Sequence, residues 1–271
     1  QLTPFEGCDF QSDAGDDEVR GAGLKWVTDG TPIERRAFLN EDYADAPGVR
    51  GTFDLPPQSM PFILAQALLG PAERRQLLFH GVGDGAVDTL LNALDHSGGR
   101  LVWGERRTRI EHADLLFQPN FPRMARNGAM VVQNGRHLAL TALFAQRLGG
   151  QTLGQMEWLR SLAGAGIPLA LGTDSIGQIS SPWLDIFLTA IHPTHPSEAL
   201  TVEEALTAYT HGSAYAEFEE AKKGTLAPGM FADLAILSQD PFTTPLPQLP
   251  ATFSVRTVVG GKVVWDAGLL H

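Results

Sequence analysis

Cysteine is almost missing from this chain. Cys8 stands alone among 271 residues, so no intrachain disulfide can staple the fold, and a cytoplasmic home fits. Basic charge is scarce too: 20 Lys and Arg face 31 Asp and Glu, the net charge is −11, and no basic run stands out. Nucleic acid is a poor partner for such a surface, because its phosphates need Lys and Arg to neutralise them. No apolar stretch approaches the roughly 20 residues of a membrane span, and no signal peptide is visible. The first residue is Gln rather than Met, which fits a processed product or a piece of something longer. Gly81, Gly83 and Gly85 follow an apolar run but lack dinucleotide-binding spacing.

Apolar residues are present in quantity, at 43% of the chain, enough for a sizeable core. Residues 1–20 are polar and acidic and read as a surface segment. Residues 22–28 read as a strand, 40–60 as a long loop of the kind that serves as a lid or binding loop, and 61–69 as a helix. From residue 75 strands and helices alternate. Strands are expected at 76–80, 107–112, 130–133 and 167–173. Helices are expected at 84–96, stopped by Gly98-Gly99, at 151–163, and at 201–218, where Thr201 and Glu204 form a capping box. This alternation predicts a parallel sheet with crossover helices. After Lys223 strand and turn signals continue without helices, and Gly260-Gly261 reads as a hairpin turn between β-branched runs. The expected domains are therefore 1–222 and a small β portion, 223–271.

Four of the apolar runs end in a group that can bind a metal or move a proton: Lys25, His80, His112 and Asp174. One such residue from each of several strands is how a (β/α) barrel builds its active face. Two imidazoles with a carboxylate suit zinc or a similar divalent ion, which lowers the pKa of bound water to about 7. Asp174 can take a proton from that water and pass it to a leaving nitrogen. Other residues read two ways. Lys25 can instead pair with Asp29 or Glu111. Glu111 orients its neighbours or forms an ion pair, the latter favoured, and Asp84 is expected to cap the helix that follows. His137 contacts substrate or lies on the surface. His192 and His195 read as coil, and His96, His211 and His271 as structural or exposed.

The motifs Leu24-Lys-Trp-Val-Thr-Asp-Gly30, His80-Gly-Val-Gly-Asp-Gly-Ala-Val-Asp88, Arg107-Thr-Arg-Ile-Glu-His-Ala113, Gly172-Thr-Asp-Ser175 and Lys223-Gly-Thr-Leu-Ala-Pro-Gly-Met-Phe-Ala-Asp-Leu-Ala235 together resemble the amidohydrolase superfamily of metal-dependent hydrolases, in its YtcJ-like or N-substituted formamide deformylase branch. The resemblance implies a partial TIM-type β/α barrel, about its strands 4–8, followed by the C-terminal portion of a β-sandwich. It implies that Lys25, carboxylated in many relatives, His80, His112 and Asp174 hold one or two divalent ions, with zinc the first choice. Asp174 would be the general base, and the substrate a small molecule with an amide-type C–N bond. The family's His-x-His pair has no counterpart here, so the chain looks like the C-terminal half of a longer family member. Lys25, His80 and His112 would still suffice for one catalytic zinc, which needs three protein ligands. The Lys25 strand would then be an apolar edge, covered by a missing N-terminal segment or a homo-oligomer partner. The alternative is a catalytically incomplete fragment or partner subunit.

Overall fold

The computed structural model describes residues 23–56, 58–69, 76–175 and 181–269. Cys8, the acidic residues 13–18 and His271 lie outside them, as does part of the stretch after Asp174. The chain forms two compact units, one from the described residues of Gln1–Gln133 and Thr141–Pro168, the other from those of Asn134–Leu140 and Leu169–His271.

In the first unit four strands, β1 (Gly23–Val27), β2 (Gln76–Gly81), β3 (Arg109–His112) and β4 (Met130–Gln133), lie side by side in chain order. Each adjacent pair is parallel. Leu77, Phe79, Ile110, Met130 and Val131 are all buried, the continuous apolar content expected of strands covered on both faces. Between the strands run α1 (Ser59–Leu69), α2 (Asp84–His96), α3 (Arg100–Trp103) and α4 (Phe121–Asn127), with α5 (Thr141–Leu153) and α6 (Leu159–Gly164) after β4. Helix α2 has the limits its sequence predicts. Val87, Leu90, Leu91 and Leu94 form one buried stripe, and burial of each contributes about 1.5–3 kcal/mol. Gly98 and Gly99 take positive φ (119° and 53°), which ends the helical path.

The helix expected over 151–163 is instead two. Phe144 and Leu148, spaced i, i+4, bury one face of α5, so helical structure begins ten residues earlier; Gly149, at φ 77°, is non-helical and breaks α5 into two short helices. Glu157 is left-handed (φ 52°) and its N–H donates to Asp114 O (3.0 Å), which forbids a continuous helix into α6. The 40–60 loop is tied down in this unit. Tyr43 is buried and its hydroxyl donates to the Ala37 carbonyl (2.9 Å), Arg50 pairs with Asp42 (2.7 Å), and Arg35 and Arg147 both pair with Asp45.

The second unit holds β5 (Leu169–Leu171), α7 (Pro182–Ile191), α8 (Val202–Thr207) and α9 (Ser213–Ala216). The Thr201–Glu204 capping box forms in both directions, at 3.1 and 2.7 Å. The single helix expected over 201–218 is interrupted by a wide π-type turn at Ala208–Gly212. There Gly212 passes so close to β5 that a Cβ would meet the Leu169 carbonyl at 2.5 Å. Strands β6 (Leu234–Leu237), β7 (Ser254–Val259) and β8 (Lys262–Asp266) form an antiparallel sheet. Its hairpin turns at Gly260-Gly261 with φ of 55° and 77°, which only glycine adopts without strain. Among the described residues no helix is long and apolar enough to cross a membrane.

Candidate functional site

His80 and His112 come together in the first unit. Register pairs His80 with Glu111 and Gly81 with His112, so strict alternation would send the two imidazoles to opposite faces of the sheet. The backbone overrides alternation. His112 and Ala113 are both left-handed, at φ 76° and 52°, and the Ala113 N–H donates to the Gly81 carbonyl (3.0 Å). The His112 ring thereby packs edge-on against His80, with centroids 4.4 Å apart. Left-handed backbone costs a non-glycine residue about 1–2 kcal/mol, and strain of this kind concentrates at functional sites. Two imidazoles at adjacent strand ends fit part of a metal's ligand set. Lys25 is half-buried on β1. Register aligns it with Leu78, placing it on the face that carries His80.

Sequence reading gave Asp29 only the role of a partner for Lys25. In the structure Asp29 is wholly buried. Its carboxylate accepts the backbone N–H groups of Phe38 (2.9 Å), Val82 (3.0 Å) and Gly83 (2.8 Å). Its Oδ1 stands 3.7 Å from His80 Nε2. Burial pushes the Asp29 carboxyl up to about 7, against the pull of those three amides. Asp29 thereby fixes the turn that enters α2, while in the first helical turn the Ala86 N–H donates to the Phe38 carbonyl (3.2 Å). Gly83 is the N-cap and makes no side-chain cap, and Asp84 opens the helix while accepting the Asn40 N–H (3.1 Å). The Gly83 spacing has a structural cause as well: a Cβ there would meet the Phe38 carbonyl at 2.0 Å. Glu111 forms an ion pair, with Arg109 (2.7 Å). Asp114 and Glu157, which sequence reading did not single out, are buried with carboxylate oxygens within 4.8 Å of each other, and Gln133 donates to Asp114 (3.2 Å).

In the second unit Asp174 follows β5, exposed and left-handed at φ 45°. The carbonyl of Gly172 beside it accepts from the Asn134 amide (2.8 Å). The next residue, Ser175, accepts from Arg136, whose guanidinium grips wholly buried Asp185 on α7 through Nε (3.1 Å) and Nη2 (2.5 Å). The Arg136 backbone N–H donates to the same carboxylate (2.9 Å). Hydrogen bonding to Asp185 raises the Arg136 pKa. Gly135 makes this turn possible, since a Cβ there would meet the Asp185 carbonyl at 2.5 Å. His137, half-buried, lies in the same turn and its N–H donates to Asn134 O (3.0 Å). His192 lies in coil as expected, but it is wholly buried, caps α7 in left-handed geometry (φ 35°), and its Nδ1 accepts the His195 N–H (3.1 Å). His96 is exposed and bonds back to Asn92 O (2.7 Å).

The sequence profile of the amidohydrolase family matches residues 2–265. The chain is 27% identical to the YtcJ protein of Bacillus subtilis (strain 168) over 258 residues, covering 92% of this chain and 48% of that protein. It is 30% identical to the N-substituted formamide deformylase of Arthrobacter pascens over 199 residues, covering 70% of this chain and 36% of that enzyme. The crystal structure of an uncharacterized metal-dependent hydrolase from Pyrococcus furiosus superposes with a TM-score of 0.74 at 28% identity, over 89% of this chain and 47% of that one. The chain thus spans about half the length of the curated relatives it matches first.

Proposed function

Because the chain belongs to the amidohydrolase family, we propose that it carries part of a metal-dependent site hydrolysing a non-peptide, amide-type C–N bond in a small molecule. The observation that carries this reading is the pair His80–His112, brought within 4.4 Å by a left-handed strand end. The parallel strands in chain order support placing them as the later strands of a TIM-type β/α barrel. The antiparallel sheet β6–β8 supports a β-sandwich portion over 223–271.

In this reading His80 and His112 hold a divalent ion, zinc by the chemistry of the donors, with Lys25 and Asp174 as further ligands by resemblance. One or two ions are accommodated. When bound, such an ion supplies Lewis acidity and a water of pKa about 7. Asp174 takes the proton of the attacking water and delivers it to the leaving nitrogen, a transfer that typically contributes about 10²–10⁴-fold. His137 orients the substrate. The similarity to an N-substituted formamide deformylase supports N-formyl and N-acyl amines as the substrate class. A missing N-terminal segment or a second copy of the chain covers the apolar edge at β1.

The second reading, a catalytically incomplete chain or partner subunit, is favoured by the absence of His-x-His from these 271 residues. The test is hydrolysis of a panel of N-formyl and N-acyl amines, with zinc and with chelator. Metal-dependent amine release that Asp174→Asn abolishes supports the first reading. No release from any substrate supports the second.

A further inference from the structure

We infer that the turn Asn134-Gly135-Arg136 is a positioning element for Asp174: its two side chains hold the backbone on either side of Asp174, and that backbone aims the carboxylate. The inference deepens the proposed function, because it rests on the reading of Asp174 as the general base.

Every contact in the argument lies within the second unit. Asp174 is exposed and left-handed at φ 45°. That backbone is disfavoured for a residue with a Cβ, and strain of this kind concentrates at functional sites. An aspartate carries its carboxylate one methylene from Cα, so the backbone angle decides where it points. The flanks of Asp174 are held from a single turn. Two residues before it, the Gly172 carbonyl accepts from Asn134 Nδ2 (2.8 Å), and one residue after it, the Ser175 hydroxyl accepts from Arg136 Nη1. Further back, the Leu171 carbonyl accepts from the Ser213 hydroxyl (3.1 Å).

The turn that does the holding is itself anchored. Wholly buried Asp185 accepts the Arg136 backbone N–H (2.9 Å) and its Nε–H (3.1 Å). Gly135 packs so closely on α7 that a Cβ would meet the Asp185 carbonyl at 2.5 Å. The negative charge of Asp174 acts on the same guanidinium and adds to the rise of its pKa. A clamp that only packed α7 would need the Arg136–Asp185 pair. It would not need Nη1 on Ser175 or Asn134 on Gly172. A reacting group displaced by about 1 Å costs about 100-fold in rate, so a base aimed by strained backbone gains from being held on both sides.

Ser175→Ala tests this without touching the Arg136–Asp185 pair, and Ser175→Thr restores the hydroxyl. The first readout needs neither metal nor activity. In a left-handed residue the amide and α hydrogens lie closer than in ordinary backbone, and the NMR contact between them reports it for Asp174. A short contact is expected in wild type and Ser175→Thr, and a longer one in Ser175→Ala and in Arg136→Lys, which lacks the guanidinium fork. An ordinary contact in wild type, or a short one kept in both Ser175→Ala and Arg136→Lys, overturns the proposal. The second readout is steady-state kinetics of the zinc-loaded protein on N-formyl amines. The expected result for Ser175→Ala is kcat about 10–100-fold lower with KM little changed, and recovery in Ser175→Thr. Unchanged kcat, or a change in KM alone, overturns it. If wild type releases no amine, the general-base reading fails by itself, and the Asp174 contact still decides whether the turn holds this backbone. If Arg136→Lys does not fold, Ser175→Ala decides alone.

Discussion

Two strand ends in this molecule share a backbone device and differ in how they are secured. His112 ends β3 in the first unit, and Asp174 follows β5 in the second; both are non-glycine residues in left-handed geometry. His112 is buried against His80, with the neighbouring turn held by main-chain groups and by the Asp29 carboxylate. Asp174 is exposed, and its neighbour Ser175 is gripped by one long side chain, Arg136, anchored on Asp185. The first geometry is built into the core. The second leans on side chains, Asn134 on the Gly172 carbonyl and the charged Arg136 clamp on Ser175, and that makes it the easier of the two to cut.

Cutting the clamp has the largest expected effect on the comparison. Arg136→Ala leaves the Asp185 carboxylate buried and uncompensated, and breaking a buried pair from one side costs about 3–5 kcal/mol. Urea unfolding is the measurement, and a loss below about 1 kcal/mol, the scale of a surface pair, would erase the contrast between the two strand ends. A smaller effect, of opposite sign, is expected at the core-built end. Ala113→Gly relieves a left-handed residue (φ 52°) and should stabilise the first unit by up to about 1 kcal/mol. Clear destabilisation would show that the turn is not strained.

A third effect concerns a carboxylate held by several partners near the surface. Burial alone would raise Asp95, but hydrogen bonds from Arg126, Asn127 and Arg123 outweigh it and hold its pKa at about 2, below the ordinary 3.8. A depressed pKa contributes stability that is present above the ordinary value and is lost as pH falls through about 2. Thermal melts between those limits should therefore flatten in Asp95→Asn relative to wild type. Identical pH slopes would count against the three-partner arrangement.

Much of this was legible in the sequence, for identifiable reasons. The limits of α2 follow from an apolar stripe and a Gly98-Gly99 stop, the Thr201 capping box from its spacing, and the β7–β8 hairpin from Gly260-Gly261. All are local signals. The helical turns before Gly149 were missed, because only the buried Phe144–Leu148 face marks them. The missed groups depend on contacts between distant residues. Asp29 bonds Val82 and Gly83 from more than fifty positions away, and Arg136 reaches Asp185 across forty-nine. His112 was placed with His80 at a strand end, but the left-handed backbone that turns its ring there against β alternation leaves no mark in sequence.

Metal content per chain, measured by elemental mass spectrometry on purified protein reconstituted with zinc and then desalted, tests the central claim most directly. We predict a value near one that is lost in the His80→Ala/His112→Ala double variant while its folded fraction is retained. A value near zero in wild type, or one unaffected by removing both histidines, would contradict the assignment of this strand-end pair as the metal's seat.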